Sequence, residues 1–157
     1  MGLNGDIAFA SNSELREMLL YCNKWSDRTF VLQTKNPIVF APRKDLITPN
    51  MIIGTTIETD AVNYNLSNAP RPSVRYFGLR VIDCRKMVTI EPIMKFTEYF
   101  GSQIINLHPE IVYIGYDSKN NHLPEPTLAE THQLIDQLRG AGIDVREKLI
   151  RKAWDES

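Results

Sequence analysis

The chain is poor in the residues from which metal and redox sites are usually built. It has two cysteines, Cys22 and Cys84, and three histidines, His108, His122 and His132. None of them falls at zinc-site spacing. Cys22 shares a helical apolar stripe with Leu15, Met18 and Leu19, which marks it as a small buried hydrophobe. His108 precedes Pro109 in a turn, His122 sits in a loop, and His132 is expected at the border of a helix's buried face. No apolar run approaches the roughly 18 residues of a membrane span. Asp6, Glu14, Arg16 and Glu17 interrupt the start, so no secretory signal is expected, and the thiols read as reduced in a cytoplasmic protein. Net charge is −1, which gives no general nucleic-acid-binding surface. Neither a Walker sequence nor a G-x-G-x-x-G follows a strand. Gly54 and Gly115, at or near strand ends, suit close backbone approach instead.

What is present is alternation. The 157 residues, 43% hydrophobic and 24% charged, suit one domain with a substantial core. Short β-favouring runs are expected as strands at Ile7–Ala10, Thr29–Gln33, Met51–Ile57, Met87–Ile90 and Ile111–Ile114, with a weaker sixth at Ile143–Glu147. Segments of helical period separate them. Ser11 with Glu14, and Thr127 with Glu130, have capping-box spacing. An Asn-, Ser- and Pro-rich loop ends near Pro72. Val74, Phe77, Val81 and Ile82 then form an apolar stripe, as do Phe96, Tyr99, Phe100 and Ile104, and later Leu128, Ile135 and Leu138. A short terminal helix is expected around Trp154.

Apolar strands divided by helices imply a parallel sheet covered by helices. Right-handed crossovers allow either a doubly wound sheet or part of a β/α barrel, and periodicity does not separate the two. Both place ligands at the carboxyl ends of the strands. At that edge stand Lys35 and Asn36, Thr56 and Glu58, Glu91, and Asp117 and Ser118. As a set they form a candidate small-molecule site; individually they are also what caps and turns prefer. Glu91, fixed between a strand and Pro92, can act as a base or accept from ligand hydroxyls, or it can pair with Lys35. An acid–base role for Lys35 and Glu91 in an iron-free enzyme is therefore one reading. Arg139, Arg146, Lys148, Arg151 and Lys152 make a mildly basic end, read most simply as a solvated face, from which Lys148 can reach the strand ends.

Five strand-end segments occur in order: Thr34-Lys-Asn-Pro37, Gly54-Thr-Thr-Ile-Glu-Thr59, Thr89-Ile-Glu-Pro-Ile93, Tyr113-Ile-Gly-Tyr-Asp-Ser118 and Leu123-Pro-Glu-Pro126. Together they resemble an uncharacterised branch of the radical S-adenosylmethionine superfamily found in phages, bacteria and archaea. The resemblance runs from about Gly5 to Trp154. It implies a parallel partial β/α barrel, similar to a TIM barrel, of about six strands, with S-adenosylmethionine and substrate at the strands' carboxyl ends. Glu58, with Thr56, matches a position resembling the superfamily's ribose contact. Lys35, Glu91 and Asp117 match the branch's own motifs as candidate catalytic residues, with Asn36, Ser118 and Lys148 as further candidate cofactor contacts.

The superfamily's C-x-x-x-C-x-x-C loop, which holds a four-iron, four-sulfur cluster, has no counterpart here. Two distant cysteines do not supply three thiolates to one cluster face. The chain thus resembles a barrel lacking its first strand and cluster loop, open at the Ile7–Ala10 edge. That edge invites a second copy or another partner, so a non-catalytic assembly module is the alternative to a cofactor-binding portion. Anaerobic treatment with iron and sulfide is expected to leave the protein without a stoichiometric cluster chromophore; a four-iron spectrum retained after desalting would refute this.

Overall fold

Residues 6–61 and 68–157 are described by the structure, a computed structural model. The expected Asn-, Ser- and Pro-rich loop falls partly on residues 62–67, outside the described residues, as does Gly5. The elements run α1 (Asn12–Asn23), β1 (Phe30–Gln33), β2 (Met51–Thr56), α2 (Pro72–Arg80), β3 (Arg85–Ile90), α3 (Phe100–Ile105), β4 (Ile111–Ile114), α4 (Leu128–Gly140) and β5 (Asp144–Glu147). Both capping boxes form: Ser11 and Glu14 open α1, and Thr127 and Glu130 open α4. In each, a hydroxyl and a carboxylate satisfy N–H groups that the helix itself leaves unpaired.

The five strands lie in chain order, β1-β2-β3-β4-β5, and every neighbouring pair is parallel. A doubly wound sheet reverses its order at a switch point. Here nothing reverses, so right-handed crossovers place each connection on the same side of the sheet. The fold is α/β and singly wound, and the sheet is not closed, with β1 and β5 as its two edges.

Alternation along the paired strands divides the side chains between two faces. Leu32, Ile53, Val88, Ile90, Val112, Ile114 and Val145 face the helices. They join one core with Leu15 and Leu19 of α1, Leu79 of α2, Phe100 and Ile104 of α3, and Leu134, Ile135 and Leu138 of α4. Cys22 lies in that core, as its stripe predicts. The second face carries Gln33, Gly54, Thr56, Met87, Thr89, Tyr113 and Arg146. Ile52 and Met87 on this face are buried yet stand outside the helix-side core.

Several expectations are corrected. Ile7–Ala10 is not a strand: Ile7–Phe9 is a 3₁₀ turn, because Asp6 caps it by accepting from the Ala8 N–H at 2.9 Å. The sheet therefore has five strands rather than six, and its open edge is β1. No terminal helix forms; the tail around Trp154 is a turn. His132 is exposed, one position off the buried face made by Thr131 and Ile135. Tyr99 lies outside α3 as its exposed cap.

The most instructive difference is in α2. Val74, Phe77 and Val81 are 50%, 57% and 58% exposed, while Arg75, Gly78 and Leu79 are buried. Arg75 turns inward to meet a buried carboxylate described below. Gly78 permits the contact on the other side of the turn, since a Cβ there would lie 3.0 Å from the Ile38 backbone nitrogen. Electrostatic pairing and close backbone approach set the rotation of this helix.

The carboxyl-terminal tail is clamped by one buried acid. Glu125, with a side chain 0% exposed, takes two hydrogen bonds of 2.7 Å from the Arg151 guanidinium. It also accepts from the Asp117 and Trp154 amides. Arg151 stacks 4.0 Å from the Trp154 ring centroid and 5.0 Å from that of Tyr116. Arg151→Met strands a buried carboxylate, which is expected to cost about 3–5 kcal/mol in urea denaturation. Adding Glu125→Gln is expected to restore part of that loss; equal stability of Arg151→Met and the parent would contradict the clamp.

Candidate functional site

Parallel strands put the loops after β1, β2, β3 and β4 at one edge, so Lys35, Glu58, Glu91 and Asp117 all stand at the carboxyl end of the sheet. Their side chains do not meet in a single basin. They separate into three clusters, two held by countercharges and one by the amides of a turn.

The first cluster is buried. The Glu58 side chain is 9% exposed and Arg75 donates to its Oε1 at 3.1 Å. Arg75 Nη2 lies 2.8 Å from Oε2 in an ion-pair contact not aligned as a hydrogen bond. Arg75 also donates to the Thr56 carbonyl at 2.7 Å. Lys35 adds a third contact, 3.2 Å from Oε1. Burial pushes the Glu58 carboxyl upward, but the Arg75 charge and hydrogen bond, with Lys35 behind them, outweigh it and hold the group below its ordinary value. Lys35 thus pairs with Glu58, not with Glu91. The loop carrying Lys35 is fixed by Asp6, which accepts from the Lys35 amide at 2.7 Å and from the Thr34 hydroxyl. Asn36 is half-buried, its amide donating to Thr34 Oγ1 at 3.0 Å.

Asp117 belongs to a second, structural cluster. Its carboxylate accepts from the Lys119 amide at 3.0 Å and from the amide and side chain of Asn121. Burial opposes ionisation there, and those hydrogen bonds more than compensate, leaving the group below the ordinary aspartate value. The acid closes a turn. Ser118 is exposed beside it.

The third cluster spans three strands on the second face. Glu91 follows β3, Lys148 follows β5, and their charged atoms meet at 2.5 Å across the end of β4. Gly115 makes the bridge possible: a Cβ there would lie 3.1 Å from Lys148 Cβ and 3.2 Å from the Leu149 backbone nitrogen. Beneath the bridge, Lys148 and Arg146 lie 5.7 Å and 5.6 Å from the Tyr113 ring centroid. Arg146 also donates to the Tyr113 hydroxyl at 3.0 Å. Farther along the same face, Gln33 reaches over Gly54 to donate to Thr89 Oγ1 at 3.1 Å. Glu91 is 25% and Lys148 45% exposed, so both remain within reach of a ligand.

Arg75, Asp6, Glu125, Tyr113 and Arg151 escaped the sequence reading as partners. Glu125 sits between two prolines in Leu123-Pro-Glu-Pro126, and that confinement was the available signal. Arg75 was visible only as a charge beside an apolar stripe. Both thiols are free, and burial raises each. Among the described residues no group of three or more His, Cys, Asp or Glu side chains is placed to hold a metal ion. A surface hollow of about 690 Å³, lined by Glu17, Met18, Tyr21 and Lys24, lies on α1 and includes none of the strand-end residues.

No family model, no curated protein and no solved structure matches the chain.

The Glu58 shift carries a sign. A carboxyl depressed on folding contributes stability above its ordinary value of 4.5, and that contribution is lost as pH falls through the lower folded value. Glu58→Gln is therefore expected to cost about 3–5 kcal/mol at neutral pH by leaving Arg75 unpaired. It is also expected to flatten the decline of stability below pH 4.5; an unchanged acid limb in urea titrations would count against the pair.

Proposed function

We propose that this chain is the ligand-binding portion of a radical S-adenosylmethionine-type barrel, unable to carry out radical chemistry by itself. The reading rests on one observation: a parallel sheet in unbroken chain order sets Glu91 and Lys148 against each other across β4, beside an aromatic ring. A β/α barrel builds its sites in this way, from the carboxyl ends of several strands. The ordered strand-end motifs support the same assignment. The cluster does not fit: Cys22 is buried in the helix-side core and Cys84 is half-buried between α2 and β3, so no cluster chemistry is derived for this chain.

S-adenosylmethionine offers a carboxylate, an ammonium group, two ribose hydroxyls and a flat base. Lys148 supplies a cation for the carboxylate, and Arg146, paired with Asp144 at 2.8 Å, adds positive charge beside it. Glu91 suits the ammonium group or the hydroxyls, and Tyr113 gives a face for stacking. Glu58 is less suited to the ribose, because Arg75 and Lys35 already engage its oxygens. The site on this reading is thus Glu91, Lys148, Tyr113 and Arg146, with Lys35 and Glu58 holding the loops beside it. Binding requires the ligand to displace or share the Glu91–Lys148 contact, which is half open to solvent and therefore cheap to rearrange.

Calorimetry with S-adenosylmethionine and with S-adenosylhomocysteine tests this. Saturable binding is expected, weakened roughly tenfold or more in Glu91→Gln and Lys148→Met, with unfolding temperature little changed. No heat with either compound, or equal affinity in both variants, would overturn the proposal.

A further inference from the structure

The two edges of the sheet are treated differently. At β5 the strand is charged, with Asp144, Arg146 and Glu147, and one outward carbonyl is capped: Arg139 donates to the Val145 carbonyl at 3.2 Å and pairs with Glu147 at 2.8 Å. Such charges and covers keep an edge from pairing with other chains. At β1 the sequence is Phe30-Val-Leu-Gln33, with no charge and no proline.

Phe30 and Thr34 direct their amides to β2, donating to the Asn50 and Gly54 carbonyls at 2.8 Å and 3.0 Å. In a parallel pair the alternate residues then point both backbone groups away from the sheet. Those residues are Val31 and Gln33. Neither backbone amide has a hydrogen-bond partner among the described residues. Val31 is 51% exposed and Gln33 is exposed. The next outward amide, that of Lys35, is already taken by Asp6 at 2.7 Å. The open stretch is thus short and bounded, and it ends where Asp6 closes it.

We propose that this stretch docks a second copy of the chain, the two β1 strands pairing antiparallel about a two-fold axis at Leu32. Val31 of one copy then lies opposite Gln33 of the other, and each of these two pairs exchanges both of its backbone hydrogen bonds. The outward backbone groups of Val31 and Gln33 are all satisfied. The flanking pairs, Phe30 opposite Thr34 and Thr29 opposite Lys35, bring no like charges together. A head-to-tail arrangement of β1 on β5 is disfavoured, because it has to displace Arg139 from the Val145 carbonyl and lay uncharged β1 along a charged strand. The remaining self-pairing is isologous and stops at the dimer. It is independent of the ligand reading, since neither Val31 nor Leu32 belongs to the Glu91–Lys148 cluster.

Sedimentation velocity of the full chain across micromolar to millimolar concentration tests the pairing. The expected result is a reversible dimer of the 18.0 kDa chain. Val31→Pro removes an outward donor without touching a β1–β2 bond, and Val31→Lys keeps the backbone while placing charges near the axis. Each is expected to weaken the dimer roughly tenfold or more, with an unchanged unfolding temperature at concentrations where the chain is monomeric. Hydrogen exchange at the Val31 and Gln33 amides is expected to slow as the dimer forms. A monomer at every concentration, including one that acquires a foreign strand instead, overturns the proposal. So does a dimer that both folded variants leave intact.

Discussion

Strands that run the same way can be joined only by a crossover, and the twist of the chain gives those crossovers one hand. In this molecule each strand lies beside its predecessor, so that constraint acts four times in the same sense. The crossover helices are driven to one side and the loops that lead into them to one edge. The burial of the core, the polar second face and the gathering of acids and bases at the carboxyl edge follow from this repeated step.

Within that frame, charge is settled locally before it is offered to solvent. Glu58 is neutralised by Arg75 and Lys35, Glu125 by Arg151, Asp117 by the amides of its own turn. The first two fix one loop to another element, and the third closes its own loop. Of the acids at that edge, Glu91 is left with a partner at the surface, on a flexible lysine. A rigid surround with one adjustable pair is what a binding site on a scaffold requires.

The strand positions from β1 onward, the capping boxes and the buried Cys22 were legible because each depends on spacing within a short window. The turn at Ile7–Phe9 was not, because its apolar run resembles a strand and only Asp6, caught between Ala8, Thr34 and Lys35, decides otherwise. The face of α2 departs from its apolar period for a related reason. Apolar period favours burying Val74 and Phe77, but Arg75 has a buried carboxylate waiting at a distance in sequence that no helical window spans. Lys35, Glu58, Glu91 and Asp117 are legible at the carboxyl edge, as is the reach of Lys148 toward it, while the pairing of Glu58 with Arg75, of Asp117 with Asn121 and of Lys148 with Glu91 depends on three dimensions.

Each of the chain's two tryptophans rests against an arginine, Trp154 beneath Arg151 in the tail and Trp25 beneath Arg28 in the turn leading into β1. One indole therefore sits by the carboxyl-edge clamp and the other by the amino end of the first strand. The molecule carries two built-in optical reporters in separate electrostatic settings, so loosening of the tail and fraying of the sheet's first edge are separable by emission once either ring is replaced.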